Sequence, residues 1–111
     1  MLLQKPDVIK GRADRIARRL KTEIKNARIT VIPDFSRAGG GSLPEVDLPT
    51  HAVSIGTESV SVNELEDRLR KGTPPVIARI KGDSLIIDAR TVQDKDIPTL
   101  VKRIKSAISE Q

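Results

Sequence analysis

The chemistry open to this sequence rests mainly on guanidinium groups and backbone amides. Arg37 stands just before Gly39-Gly40-Gly41-Ser42. A glycine run beside a cation can turn its N–H groups toward an anion. It is not a P-loop, which needs Lys and then Ser or Thr after its last glycine, and Pro44 follows too closely for it to open a helix. A flexible connector is the plainer reading of such a run. Arg79 and Arg90 lie in or directly after apolar stretches, where a guanidinium is costly unless it meets a partner. Arg90 also falls just before a turn, a position that often carries site residues. Arg12, Arg15, Arg18 and Arg19 crowd one short segment and could grip a phosphate backbone, with a solvated charged face as the competing reading.

Other chemistries are excluded or weak. The chain has no cysteine, so thiolate metal sites, disulfides and cysteine nucleophiles are out. His51 is the only histidine and has no partners for a triad or a metal set, which leaves a structural role. Asp94 and Asp96 stand at an expected helix start, where carboxylates cap N–H groups and meet the helix dipole. One Phe with no Trp or Tyr leaves no stacking platform for single-stranded nucleic acid. The net charge of +5 favours an anionic partner without naming one. No apolar run approaches a membrane span, and no secretory signal order opens the chain, so a cytoplasmic location is expected.

The elements that must position these residues follow from periodicity and turn chemistry. From Pro6 to Ile24 the apolar residues Ile9, Ala13, Ile16, Ala17, Leu20 and Ile24 recur at helical spacing, with a basic face opposite that includes Arg12. Arg28 to Ile32 alternates as a strand that Pro33 ends or marks as an edge. A loop is expected over 37–44, then a short strand from Thr50 to Ile55. Ser61-Val62-Asn63-Glu64 has capping-box spacing, and Gly72 is expected to stop that helix in a left-handed conformation. Val76 to Lys81 and Ser84 to Asp88 read as a hairpin about Gly82-Asp83 of type II′. A last helix carries Leu100, Val101, Ile104, Ala107 and Ile108, with Pro98 tolerated in its first turn. This order predicts an α+β domain, a mostly antiparallel sheet of about four strands with helices on one face.

A succession of motifs goes further. Arg37-Ala-Gly-Gly-Gly-Ser-Leu-Pro44, Asp47-Leu-Pro49, Arg68-Leu-Arg-Lys-Gly-Thr-Pro-Pro75, Val76-Ile-Ala-Arg-Ile80 and Leu85-Ile-Ile-Asp-Ala-Arg-Thr-Val92 occur in this order and spacing. Together they resemble the C-terminal domain of bacterial L-seryl-tRNA(Sec) selenium transferase. The resemblance covers about half of the chain tightly.

The resemblance implies the small domain of a fold-type I pyridoxal-phosphate enzyme that makes selenocysteinyl-tRNA(Sec) from seryl-tRNA(Sec) with selenophosphate as donor. It implies one C-terminal domain over 1–111, with a leading basic helix over 1–26 and a sheet-plus-helices core over 27–111. The large domain with the Schiff-base lysine would lie outside this chain, which alone would be inactive. Arg90, and with it Arg37, Arg79 and the Gly39–Ser42 loop, become substrate-binding candidates; Arg12, Arg15 and Arg19 become tRNA-contact candidates. Homo-oligomeric assembly of the parent is implied as well. Two other readings stay open: the small domain of another fold-type I enzyme acting on a free amino acid, and a stand-alone basic nucleic-acid-binding module.

Overall fold

The structure, a computed structural model, describes residues 6–38 and 46–109. Its elements are α1 (Pro6–Glu23), β1 (Ala27–Ala38), β2 (Val46–Thr57), α2 (Val62–Lys71), β3 (Arg79–Lys81), β4 (Ser84–Asp88) and α3 (Ile97–Ser109), with 3-10 turns at Ala89–Thr91 and Asp94–Asp96. The four strands are antiparallel in the order β1-β2-β4-β3. This is the α+β domain that the element order predicts.

The apolar periodicity forms one core. Ile9, Ala13, Ile16, Ala17, Leu20 and Ile24 are all buried, and they pack with Leu65 and Leu69 of α2, Leu100, Val101 and Ile104 of α3, and Ile29, Val53, Ile55, Leu85 and Ile87 of the sheet. Strand alternation sends the intervening residues to the other face. There Ala52 and Ile86 are also buried but lie outside that core. Arg79 is paired with Ile86 across the β3–β4 ladder and shares this second face.

Local signals hold where the chemistry is local. Ser61 accepts a hydrogen bond from the Glu64 N–H at 3.2 Å and caps α2. Lys81 pairs with Ser84 around a two-residue turn in which Gly82 has φ 62°, while Asp83 does not enter positive φ. That combination fits the expected II′ geometry.

Four expectations change. β1 runs through Pro33 to Ala38 and β2 from Val46 to Thr57, so the first hairpin is far longer than its alternating cores suggest. Pro33 is accommodated because β1 is an edge strand, where a missing N–H need not break a ladder. Val76 to Ala78 is not in a strand; β3 is only Arg79–Lys81, and the Val76 N–H bonds back to the Leu69 carbonyl instead. Gly72 is extended, with φ −79° and ψ 179°, rather than left-handed. The end of a flexible α3 side chain lies over it. A Cβ there would fall 1.4 Å from Arg103 Nη2. Finally, Asp94 does not cap α3; its carboxylate turns toward α1.

Arg103 lies over Gly72 and donates to the carbonyls of Pro74 (3.2 Å) and Arg68 (3.2 Å), joining α3 to the end of α2. Gly72→Ala is therefore expected to displace that side chain and cost about 1–2 kcal/mol, the worth of the two hydrogen bonds. Arg103→Ala should cost a similar amount, and the double variant little more than either single one. Denaturant midpoints of the four proteins test this, and strict additivity would refute the coupling.

Candidate functional site

β4 delivers the chain to a turn that is tied down from two directions. Asp88 accepts hydrogen bonds from the Arg90 N–H at 3.0 Å and from the Thr50 hydroxyl at 2.7 Å. The Thr91 hydroxyl donates to the Asp88 carbonyl at 2.9 Å. The Arg90 guanidinium donates through Nη2 to the carbonyl of Pro49 on β2. From the helical side, Arg12 donates through Nη1 to the Ala89 carbonyl at 3.1 Å and through Nε to Asp94 at 3.1 Å, and Arg15 donates to the same Asp94 oxygen at 2.6 Å. The whole segment from Asp88 to Asp94 is thus fixed between β2 and α1.

Two adjoining hollows open beside this segment and share Ile77 and Thr91 in their walls. One, of about 420 Å³, lies between Pro74–Ile77 and the start of α3, including Asp96 and Thr99. The other, of about 500 Å³, is bounded by Phe35, Arg79, Ile86 and Asp88. Phe35 and Ile77 are 55% and 72% exposed, large apolar side chains left open at one end of the sheet. Arg79 crosses from β3 to donate to Asp34 of β1 at 2.5 Å. Burial by itself would raise the Asp34 pKa, but hydrogen bonds from the Phe35 N–H and Arg79, with the charges of Arg79 and Lys81, outweigh it and hold the carboxyl below its ordinary value.

The candidates from the sequence divide accordingly. Arg79 lines the second hollow, and Arg90 lies next to Thr91 in its wall. Arg37 pairs through its backbone with Asp47, two ladder positions beyond the Phe35–Pro49 pair, which places it about 7 Å along the ribbon from the strand position that Arg90 reaches. Gly39, Gly40, Gly41 and Ser42 lie outside the described residues. Arg12 is only 9% exposed and holds the turn rather than facing solvent. Arg15 is paired with Asp94, while Arg19 is exposed on α1. His51 is half-buried opposite Pro33, with its Nδ1 buried and no hydrogen-bond partner among the described residues. Sequence reasoning missed Asp34, Thr50 and Asp88. Only their odd placement as polar residues within strands could have marked them.

Among the described residues no three His, Asp or Glu side chains converge as a metal site, and no helix is long and apolar enough to cross a membrane. Every lysine from Lys10 to Lys105 is exposed, and none lines either hollow.

These features define a small α+β domain with a rigid arginine-bearing turn at one end of its sheet. The family model described as L-seryl-tRNA selenium transferase matches residues 1–93. The L-seryl-tRNA(Sec) selenium transferase of Aquifex aeolicus is 40% identical over 109 residues, 98% of this chain and 24% of that protein. Those of Clostridium botulinum (33% over 108 residues, 97% and 23%) and Desulfotalea psychrophila (40% over 101 residues, 90% and 22%) are similar in the same way. The chain belongs to the L-seryl-tRNA(Sec) selenium transferase family. It spans about a quarter of the length of the curated relatives it matches.

The two lowered carboxyls set an acid response. Hydrogen bonds from Arg15 and then Arg12 hold the Asp94 pKa below its ordinary 3.8, and Asp34 is lowered as well. A folded pKa below the unfolded one means stability that is present above 3.8 and is lost as pH falls through the folded value. Asp94→Asn should therefore melt below wild type near neutral pH, and the gap should narrow as the pH falls below 3.8. Thermal midpoints across that range decide it; a pH-independent gap would assign the loss to something other than ionisation.

Proposed function

We propose that this chain is the C-terminal small domain of an L-seryl-tRNA(Sec) selenium transferase, which converts seryl-tRNA(Sec) to selenocysteinyl-tRNA(Sec) with selenophosphate as the selenium donor. The observation that carries this reading is the match of nearly the whole chain to relatives of that name, of which it makes up about a quarter. The parent is a cytoplasmic homo-oligomer. Pyridoxal phosphate, when bound, supplies the electron sink that lets the seryl hydroxyl leave. The cofactor is proposed to be held by the rest of the parent.

The part played by this domain is positional. The Asp88–Asp94 turn presents a fixed surface, and a surface that does not rearrange orients a reacting group at little entropic cost. Arg90, Arg79 and Arg37 are the proposed contacts for the aminoacyl end. An ester substrate has no free carboxylate, so a carbonyl or phosphate oxygen is their target. The Gly39–Ser42 run is proposed to support the same contact through its backbone N–H groups.

Arg90→Lys in the full-length enzyme tests the central residue. Lysine keeps the charge but not the planar fork. Single-turnover rates on seryl-tRNA should fall about tenfold or more, about 1.4 kcal/mol in barrier, with the melting midpoint nearly unchanged. A large fall in midpoint together with activity would make Arg90 a brace for Pro49 and nothing more. The chain alone is expected neither to form an internal aldimine absorbance with added pyridoxal phosphate nor to turn over seryl-tRNA. A borohydride-sensitive band from the isolated chain would contradict this.

A further inference from the structure

A third hollow, of about 450 Å³, lies between α1 and α3, and its walls carry more positive than negative charge. Arg19 of α1 and Lys102 and Lys105 of α3 line it with Glu23, so three cations meet one carboxylate. That carboxylate is already engaged: Lys105 binds Glu23 at 3.2 Å and links the two helices. A second link, Arg15 to Asp94, lies earlier on both segments. Because the two links occur in the same chain order, α1 and the segment from Asp94 to Lys105 run side by side in the same direction. Arg19 falls between Arg15 and Glu23 on one wall, and Lys102 falls between Asp94 and Lys105 on the other. Both are exposed. Ser106 and Ser109 add hydroxyl groups to the α3 wall, and buried Val101 fixes that helix beneath it.

A shallow groove with cations on facing walls, hydroxyl groups on one of them and no aromatic side chain suits a sugar-phosphate backbone better than bases. We infer that this α1–α3 groove is a phosphate-backbone contact for RNA, with Arg19 and Lys102 as its principal charges. The inference rests on the proposed function for the identity of the RNA. It moves the contact away from Arg12 and Arg15, which hold Asp94 and Ala89, and adds a wall from α3 that the charge pattern of the first helix alone does not contain.

The test is binding of deacylated tRNA(Sec) to the full-length enzyme as a function of salt, comparing wild type with Arg19→Gln/Lys102→Gln. A control pair, Lys71→Gln/Lys81→Gln, removes two exposed cations elsewhere on the domain. Removing one cation that neutralises a phosphate lowers the salt slope by about 1. The groove variant should therefore bind about tenfold or more weakly at low salt with a slope reduced by about 2, at an unchanged melting midpoint, while the control stays near wild type. Equal affinity and slope, or an equal loss in the control, overturns the inference. A change in subunit number by sedimentation with unaltered tRNA binding per subunit also overturns it, since the groove would then serve a protein contact. Wild-type enzyme that binds no tRNA at all would instead remove the proposed function on which the groove's assignment depends.

Discussion

The architecture depends on one nearly buried cation. Arg12 has its guanidinium among the core elements, where an uncompensated charge would cost several kcal/mol. It is stabilised by the Ala89 carbonyl and by Asp94, and those two acceptors lie on either side of the turn after β4. One side chain therefore sets where α1 lies against the sheet end and where α3 begins. Removing it would take this donor from the buried Ala89 carbonyl and leave Asp94 to Arg15 alone, as well as loosening the turn. The hollows beside that turn have a defined shape only because the turn does.

The rest of the domain extends this logic with few aromatic residues. A core built from Ile, Leu, Val and Ala packs well but offers no polar handle for joining elements. Arginine takes over that role repeatedly. Arg103 joins α3 to the end of α2, Arg68 donates to the Ala107 carbonyl at 2.7 Å near the end of α3, and Arg79 joins β3 to β1. The planar, multiply donating guanidinium suits such joints better than an ammonium does. Several of the chain's arginines thus act as braces between elements and are not simply a charge offered to an outside anion.

That division bears on function. The sheet end carries Arg79 and Arg90 beside exposed Phe35 and Ile77, a mixture of apolar surface and oriented donors found where a larger body closes over a site. The helical layer carries the α1–α3 groove, where Arg19, Lys102 and Lys105 stand beside Pro98 and Val101. Two surfaces of different character on one small domain fit the proposed placement, with the sheet end toward the rest of the enzyme and the groove toward RNA.

What was legible in the sequence was whatever neighbouring residues decide among themselves. The apolar face of α1, the Ser61 cap and the Gly82 turn follow from spacing, a hydroxyl three residues before an N–H, and a glycine where positive φ is needed. The motif succession from Arg37 to Val92 was equally readable, and with it the family. What tertiary structure decided was the fate of the charges. Periodicity assigns Arg12 to the basic face of α1, although it follows Ile9 by three residues and precedes Ile16 by four and so sits at the margin of the apolar stripe. It turns inward because Asp94, 82 residues away, is there to receive it. Arg79 finds Asp34 across 45 residues, and Arg103 folds over Gly72 from a different helix. Helical and strand periods report which face is apolar; whether a charge on the margin is solvated or engaged depends on partners that only the packing of distant segments brings within hydrogen-bonding range.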